Sequence, residues 1–588
     1  MQEILAQLLK VVLALLTLIT TYLVGHGALS QSATTTAQTQ NNAQVQTQAQ
    51  TQTAAAVPIV PAAPASTTAT QGATTAATAT TGTTTAASNT TGTAGTSVAI
   101  GGVSNVNVQS ATTNAATTAT TTQTTTTTAA ADSVTPILDD SVYGADSYVP
   151  QPEVAGAFYV APNGSDSNPG TKEQPWATIQ HAADTLTAGQ TVYIRGGTYP
   201  ISTRIVTKNS GTADKWITFA AYPGEQPVIE AKDMELGNEQ YPHDLGAFWI
   251  SNNVQYVRVE GLTVQNSPAS GFSVCRGKHI VLVGNRVNGS YTPGISANST
   301  YNHDCESADI KILRNTLVNT NNIVFSRGMQ TDGEAPHESI SIMGTDGFEI
   351  AFNHIHDTAK EGIDVKERSK NGVVHNNLVE NIARQCFYVD AWYGTLENIE
   401  WYGNIGRRCG FMGFAVSVEN GSGEPAVVNN VSFHHNLIDS AQGTGVYFSR
   451  FNADGLRKNV KIYNNTVYNS GHNVGWIVGG LALLSDNVHD TQIYDNIFAE
   501  NSPFQMGASV EYGGMAGLAQ RNITLENNLI NGPQNGADMY DGSMQPIEGT
   551  DTRTGDPQFV NPAAGDFRLK DGSPAKGTGK GGGNIGAF

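Results

Sequence analysis

Positive charge is scarce in this sequence. Its 588 residues include 31 Lys and Arg against 50 Asp and Glu, and the formal net charge is −19. A chain with this balance repels a phosphate backbone, so we expect no nucleic-acid partner. The overall field does not attract a polyanionic sugar either, and binding one would need local cations or a bound metal ion.

Cysteine is also scarce, with only Cys275, Cys305, Cys386 and Cys409. No CxxC spacing occurs, so the sequence does not predict a zinc site of that type. The four residues fall into two pairs, 30 and 23 residues apart. In a repeat fold, the members of each pair would lie about one coil apart. The sequence leaves open whether they are disulfide-bonded or buried thiols.

A long apolar run occurs only within residues 1–30, where it extends from Val11 to Val24. It predicts export, either as a signal peptide cleaved near Ala28-Leu-Ser30 or as a retained membrane anchor. From Gln31 to Asp132 the chain is almost only Thr, Ala, Gln, Ser, Gly and Asn. We therefore predict a disordered linker over 31–156. The expected location is secreted or cell-surface anchored, with membrane contact only through the first segment.

An asparagine with an apolar residue one or two places after it recurs through the rest of the chain. It occurs at Asn285, Asn315, Asn353, Asn377, Asn404, Asn436, Asn465, Asn496 and Asn528. The gaps are 30, 38, 24, 27, 32, 29, 31 and 32 residues. A period in this range indicates a repeat architecture.

Each repeat contains short β-type runs, such as Val281-Leu-Val and Ile310-Lys-Ile, and no convincing long helix. One turn of strands and tight corners per repeat predicts a parallel β-helix. An asparagine at one corner of each coil can stack on the next one about 4.8 Å away. Asparagine also tolerates the left-handed corner conformation. We predict an all-β solenoid over 157–588, present as a monomer.

Both ends of this region carry closing segments. At Ile179, Ala182, Ala183 and Leu186 the apolar spacing predicts a short helix over Trp176–Leu186 that covers the open end of the solenoid. The run from Val160 to Ala182 and the strand ending Gly196-Gly-Thr-Tyr199 resemble the amino-terminal cap of secreted right-handed parallel β-helix proteins, including the family 9 polysaccharide lyases. The segments Asp556-Pro-Gln-Phe-Val560 and Asn584-Ile-Gly-Ala-Phe588 resemble their carboxy-terminal closing segment.

Active sites on such a solenoid are columns of outward side chains, because neighbouring strands are in register. Inward apolar pairs align on five coils, as Ile340/Ile342, Ile363/Val365, Phe387/Val389, Phe414/Val416 and Val446/Phe448. One outward column is Ser341, Asp364, Tyr388, Ala415 and Tyr447, and the next is Met343, Lys366, Asp390, Ser417 and Ser449. Charge is thus concentrated on two adjacent coils. His337-Glu338 and Asp346 lie one coil back, and Glu419 ends the following strand.

The acidic residues of this region could converge on a calcium ion. Glu361, Asp364, Glu367 and Asp390 carry the hard oxygen ligands that Ca²⁺ prefers. Family 9 lyases bind Ca²⁺ with an Asp-Asp-Gly-x-Asp element, which Lys360-Glu-Gly-Ile-Asp364 resembles with its first acid replaced by lysine. Where that family has its catalytic lysine, this sequence has Tyr388. Lys366 lies on the same face and is the alternative candidate base.

We therefore predict a Ca²⁺-assisted polysaccharide lyase that cleaves a uronic-acid polymer by β-elimination. Lys366, Asp364 and Asp390 are the predicted catalytic residues. The predicted substrate-binding residues are Arg368, Arg384, Tyr388, Trp392 and Tyr393. Two alternatives stay open. One is a glycoside hydrolase that uses Asp364 and Asp390 as acid and base. The other is a non-catalytic glycan-binding β-helix, with sugar stacking on Trp392, Tyr393, Trp401 and Tyr402.

Overall fold

The computed structural model describes residues 134–588, except 239–242, 252, 298–304, 329–333, 420–423, 451–454, 474–477, 486 and 540–541. The predicted export segment and most of the predicted linker lie outside the described residues. Of the helices in the described part of the chain, none combines the length and the apolar character needed to cross a membrane.

The chain winds through three long sheets and contributes one strand to each sheet per coil. Sheet 1 contains Phe158–Val160, Thr191–Ile194, Ile217–Ala221, Gln255–Glu260, Lys278–Val283, Ser307–Leu313, Thr345–Ala351, Lys370–His375, Thr395–Tyr402, Val427–His434, Leu456–Tyr463, Val488–His489, Thr491–Tyr494 and Ile523–Glu526. Sheet 2 contains Gly197–Pro200, Pro227–Glu230, Thr263–Ser267, Arg286–Ser290, Thr316–Val318, His354–His356, Leu378–Ile382, Ile405–Cys409, Leu437–Asp439, Thr466–Tyr468, Ile497–Ala499, Leu529–Asn531 and Arg553–Thr554.

Sheet 3 is the third long sheet of the solenoid. Its strands are Ile205–Thr207, Phe248–Ile250, Phe272–Val274, Ile295–Ala297, Ile340–Met343, Ile363–Lys366, Phe387–Ala391, Phe414–Val418, Val446–Phe448, Leu481–Leu483, Met506–Ser509, Gly542–Pro546 and Ala537–Met539. Successive coils pair in parallel in all three sheets, which confirms the predicted parallel β-helix. Parallel crossovers of this kind are right-handed.

Both ends of the solenoid are closed. Helix α1, Ile179–Thr185, lies within the predicted capping segment, and the Thr178 side chain accepts a hydrogen bond from the His181 backbone N–H at its start. Its apolar face is buried as the spacing predicted. At the other end, Gly542–Pro546 pairs antiparallel with Met506–Ser509, and a short hairpin joins Phe559–Asn561 to Asp566–Leu569. Helix α2, Gly514–Gln520, buries Leu518 against the last coils.

The core is one continuous column of inward apolar side chains. The apolar pairs that aligned the five coils in the sequence are all fully buried. Trp401 is also in this core, with no exposed surface, and its ring lies 5.7 Å from that of Phe414. Tyr402 is on the outside, but its ring is stacked between those of His375 and His434. The sugar-stacking role considered for Trp401 and Tyr402 is therefore wrong, because these rings pack within the protein.

The asparagine ladder is present and fully buried at all nine positions. Each side-chain amide donates to the next side-chain carbonyl, at 2.9 Å between Asn377 and Asn404 and again at 2.9 Å between Asn404 and Asn436. The left-handed corner residue, however, is the one before each ladder asparagine, such as Asn376 with a φ of 48°. The expected left-handed conformation of the ladder residues themselves is wrong. Their side chains bond backbone groups that the corner leaves unpaired.

Replacing a ladder asparagine should destabilise the fold. Asn404 donates to the Val374 carbonyl and accepts from the Asn377 backbone N–H, so Asn404→Ala leaves these buried groups without a partner. We expect a loss of unfolding free energy on the order of 3 kcal/mol. Urea unfolding measures it. The matched control is Asn429→Ala on the outer side of sheet 1, where the partly exposed amide bonds Glu397, with an expected change under about 0.5 kcal/mol. Equal effects would contradict the structural role of the ladder.

The ordered domain begins earlier than Ala157. Residues 134–149 lie along the outside of the solenoid and run back against the order of its coils. Their contacts are Asp140 with Arg407, Gly144 with Phe352, Asp146 with Arg286 and Tyr148 with Glu260. Tyr143 is buried in an apolar cluster with Leu378 and Ile405. The predicted linker over 31–156 is therefore wrong for its last part, since this segment gains enough burial to be ordered.

The four cysteines form two disulfides, Cys275–Cys305 and Cys386–Cys409. Each joins neighbouring coils, as the spacing of the pairs suggested. The structure thus decides between the two states that the sequence left open. Such bridges form and persist in an oxidising compartment, which agrees with the predicted export.

Candidate functional site

Four side chains form a block on the outer face of sheet 3. Asp364 and Lys366 lie on the strand Ile363–Lys366, and Tyr388 and Asp390 lie on the adjacent strand Phe387–Ala391. Asp364 pairs in register with Tyr388, and Lys366 pairs with Asp390. We call these four residues the central block. The register is the one predicted from the apolar pairs, because parallel strands with matching inward residues also align their outward ones.

The coils on either side of the central block carry no charge at the two column positions. The preceding strand places Ser341 and Met343 at the two column positions, and the following strand places Ala415 and Ser417 there. Within these two columns the charged residues therefore lie on two adjacent coils, as predicted. Asp346 does not belong to this face, because it lies on sheet 1 beside Lys370.

The central block points outward but is largely covered. Asp364 is 0%, Asp390 2% and Tyr388 6% exposed, and the Lys366 side chain is 12% exposed. Alignment of the coils predicted that these side chains point outward, but it did not predict this cover. The cover arises because side chains that precede the strands, such as Glu338, also reach over this face and are themselves buried.

The Lys366 ammonium lies among three carboxylates. Its Nζ is 3.0 Å from Glu338 Oε1, 3.6 Å from Asp364 Oδ2 and 3.8 Å from Asp390 Oδ2. Burial alone would lower the pKa of Lys366, but Glu338 and the other acidic neighbours raise it well above its ordinary value. A general base must be neutral to accept a proton. This environment holds Lys366 as a cation and opposes the role of base predicted for it.

The carboxyl groups around Lys366 differ in protonation. Burial raises the pKa of Asp364 and of Asp390 well above the ordinary range, with Glu338 adding to the first and Glu419 to the second. Burial would also raise the pKa of Glu338, but Lys366 and His337 bring it to about 2. Separated pKa values mark one group as a proton donor and the other as an ionised carboxylate. The site therefore offers both.

Tyr388 is hydrogen-bonded to an acidic side chain. Its hydroxyl donates to Glu419 Oε1 at 3.0 Å. Burial, followed by the Glu419 charge, raises the pKa of Tyr388 well above its ordinary value. The phenol therefore stays protonated at rest and has an acceptor in place for that proton. The sequence assigned Tyr388 to substrate binding and did not foresee its bond to Glu419.

The predicted calcium ligands are present but are not arranged around one ion. Asp364 and Glu367 have buried carboxylate oxygens without a hydrogen-bond partner, which are ligands of the kind that Ca²⁺ takes. However, Lys366 lies between Asp364 and Asp390, and Glu361 is 3.3 Å from Arg384. Within the described ranges, no three His, Cys, Asp or Glu side chains could hold a metal ion together. The donor chemistry suits calcium, but the arrangement does not fit it.

The predicted substrate-binding residues are only partly available. Arg368 is half-exposed and lies 3.0 Å from Glu306, and Arg384 pairs with both Glu334 and Glu361. Trp392 keeps part of its surface exposed. Tyr393 is 1% exposed, so its ring offers no face to a sugar and the predicted stacking role does not fit it.

One cluster next to the central block was not foreseen. Asp244 Oδ1 lies 3.2 Å from His337 Nε2 and 3.4 Å from His243 Nε2. His337 is adjacent in sequence to Glu338, so this cluster is continuous with the partners of Lys366. No periodic signal could have identified it, because Asp244 and His337 lie outside the strands, on segments separated by almost a hundred residues.

Glu367 should make the stability of the fold depend on pH. Burial raises its pKa to about 7, against 4.5 for an ordinary glutamate. Between pH 4.5 and about 7, the unfolded chain releases this proton while the folded chain keeps it. The unfolding free energy therefore falls as the pH rises through this range, and it falls no further above about pH 7. Glu367→Gln should therefore raise the unfolding free energy at pH 8 by up to about 3 kcal/mol, with no gain at pH 4.

Urea unfolding at the two pH values measures this effect. Glu173→Gln, on the exposed surface of the cap, is the matched control and should show no pH-dependent gain. A gain of the same size at both pH values would mean that Glu367 is not held protonated in the folded state.

Comparison with known proteins agrees with this architecture. Residues 158–341 match a family model described as the Pel9A-like right-handed β-helix region. The uncharacterized protein YwoF of Bacillus subtilis is 27% identical over 388 residues, which are 63% of this chain and 74% of YwoF. The pectate lyase Pel9A structure has a TM-score of 0.42 and 15% identity, covering 74% of this chain and 96% of its own.

Two curated pectate lyases match shorter segments. Pectate lyase PEL9 of Emericella nidulans is 42% identical over 81 residues, 14% of this chain, and pectate lyase L of Paenibacillus polymyxa is 29% identical over 144 residues, 24% of this chain. The chain spans only 20% and 30% of their respective lengths. The family match, together with these two relatives, supports a right-handed β-helix that resembles that of the family 9 pectate lyases. The family model ends at Ser341, one strand before the central block.

Proposed function

We propose that this protein is a carbohydrate-active enzyme that cleaves a uronic-acid polysaccharide by β-elimination at the central block. The observation that carries the proposal is the position of Lys366. The Lys366 ammonium is buried and has three carboxylates within 4 Å. Beside it, the Tyr388 phenol is hydrogen-bonded to Glu419. The β-helix fold itself does not require buried charges at these positions. The matches to pectate lyases support the same class of reaction.

Lys366 would act on the substrate carboxylate. Removal of the proton at C5 of a uronate spreads negative charge onto that carboxylate, and a preorganised cation stabilises the charge as it develops. The raised pKa of Lys366 suits this task, because the ammonium persists at neutral pH. This role replaces that of base, and it needs no neutral amine.

Tyr388 and Glu419 would remove the proton. As the Tyr388 oxygen takes the C5 proton, its own proton passes to Glu419, to which it is already hydrogen-bonded. The C–H electron pair forms the double bond between C4 and C5, and the bond from C4 to the glycosidic oxygen breaks. Asp364 or Asp390, whose pKa values are raised, would donate a proton to the leaving oxygen. No step requires an oxidant or a reductant.

A glycoside hydrolase is the second candidate, and a specific observation favours it. The pKa of Glu338 is about 2, whereas those of Asp364 and Asp390 are raised. An ionised carboxylate near a protonated one is the pair that glycoside hydrolysis uses. In this mechanism Lys366 would only keep Glu338 ionised. The two candidates release different products from the same site.

One assay separates the candidates. The purified protein is incubated with pectate, alginate and neutral glycans, with added Ca²⁺ or with chelator. A lyase yields an unsaturated sugar that absorbs near 235 nm (roughly, as expected for the conjugated product of C5 proton removal). A hydrolase yields reducing ends without this absorbance, and a binding protein yields no product. Absence of unsaturated product from every uronate polymer would refute the lyase proposal. A calcium-assisted lyase, as the family resemblance implied, would lose activity with chelator.

A further inference from the structure

We infer that the Lys366 ammonium is a built-in cation that takes the place of a divalent metal ion in this site. The inference deepens the proposed function, and it rests on that function only for its activity measurement. Its main test is ion binding, which needs no substrate.

The geometry of the carboxylates carries the inference. Glu338, Asp364 and Asp390 come from three different coils, and each has an oxygen within 4 Å of Lys366 Nζ. These carboxylates therefore face one shared cation, which is an amino-acid side chain. A divalent ion bound by Asp364 and Asp390 would lie close to this ammonium and be repelled by it. Burial strengthens the repulsion, because little solvent screens it.

Another predicted ligand, Glu361, also lies beside cations. Glu361 Oε1 lies 3.3 Å from Arg384, and Glu361 Oε2 lies 4.0 Å from Lys360. Both cations also lie near Glu334, at 2.5 Å for Arg384 and 3.9 Å for Lys360. Lys360 is the residue at which the acidic element resembling that of the family 9 lyases has lost its first acid. Lys360 and Lys366 thus place positive charge on opposite sides of Asp364 in the sequence.

The chain itself neutralises part of the acidic charge that an ion would otherwise neutralise. Removing the Lys366 charge should therefore create an ion site. In Lys366→Met the side chain keeps its approximate length and loses its charge, while the three carboxylates remain. This variant should bind Ca²⁺, and the luminescent probe Tb³⁺, at least about tenfold more tightly than the unmodified protein. Lys366→Arg keeps the charge and should not gain binding.

Calorimetric titration with Ca²⁺ and luminescence titration with Tb³⁺ test this on the full chain. Lys370→Met is the matched control, because Lys370 lies on sheet 1 next to Asp346, at 3.5 Å, away from the central block. It should leave ion binding unchanged. Circular dichroism checks that each variant is folded, and Asp364→Asn in the Lys366→Met background should abolish the gained binding.

Two ion-binding results would overturn the inference. One is saturable Ca²⁺ binding by the unmodified protein that Asp364→Asn removes, since the site would then hold a metal beside the lysine. The other is a folded Lys366→Met variant with no gain, since the carboxylates would then not surround a cation position. Unsaturated product that requires Ca²⁺ would likewise contradict it while leaving the lyase proposal intact. No product from any uronate polymer would refute only the lyase proposal, because the ion titrations do not depend on it.

Discussion

Replacing Tyr388 by phenylalanine should lower the turnover number on a uronate polymer by a factor on the order of 10³, with little change in KM. The variant removes only the hydroxyl, which bonds Glu419 at 3.0 Å and which we propose takes the C5 proton. The ring and its packing in the register with Asp364 remain. The formation of unsaturated product, followed by its ultraviolet absorbance, measures the loss.

Tyr447→Phe is the matched control. Tyr447 occupies the same outward column two strands further along, about 10 Å away at the usual strand spacing, and is also buried. It should retain full turnover. Glu419→Gln tests the second half of the pair. If Glu419 receives the phenol proton, this variant should lower turnover. A Tyr388→Phe enzyme with normal turnover would exclude the phenol as the base.

Replacing Lys366 by methionine should lower turnover by a factor on the order of 10² to 10³, because the charge that develops on the substrate carboxylate loses its cation. Lys366→Arg should recover part of the activity, since a guanidinium also carries the charge but fits the space between Glu338 and Asp390 less well. Steady-state kinetics on the same polymer measure both variants.

The kinetic pattern decides what Lys366 does. A loss confined to turnover indicates stabilisation of the transition state, whereas a rise in KM alone would mean that Lys366 only binds substrate. If Lys366 were instead the general base, it would have to be a neutral amine, and activity would rise steeply at alkaline pH. Lys370→Met should leave both parameters unchanged.

Much of the candidate site could be predicted because it lies on regular strands. The register of Asp364 with Tyr388 and of Lys366 with Asp390 followed from the apolar pairs beside them. The sequence assigned Glu338 to the preceding coil but to neither column, because this residue lies in the loop before its strand. Its contact with Lys366 could therefore not be predicted from the register. Glu361 and Glu367 were among the acidic residues expected to converge on one ion, but the sequence does not reveal that Arg384 pairs with Glu361.

The role of Lys366 was the part of the site that sequence could not assign. Whether a lysine is a base or a cation depends on the charges that surround it from every coil. Four acidic groups raise the pKa of Lys366. Asp364 and Glu367 are close to it in sequence, but Glu338 and Asp390 come from other coils. The protonation states of Asp364 and Asp390 depend in the same way on burial, which alignment of the coils did not predict.

The solenoid, the cap and the columns could all be predicted from the amino-acid sequence alone. Each of these depends on a local pattern, such as the recurring asparagine from Asn285 to Asn528 or the apolar spacing of Ile179–Thr185. Parallel strands at constant separation keep the repeated residues aligned in space. Tertiary contacts establish the packing of residues 134–149, the two disulfides, the cover over the central block and the position of the Lys366 ammonium. These features join segments far apart in the chain through loops that do not repeat, so no periodic signal records them.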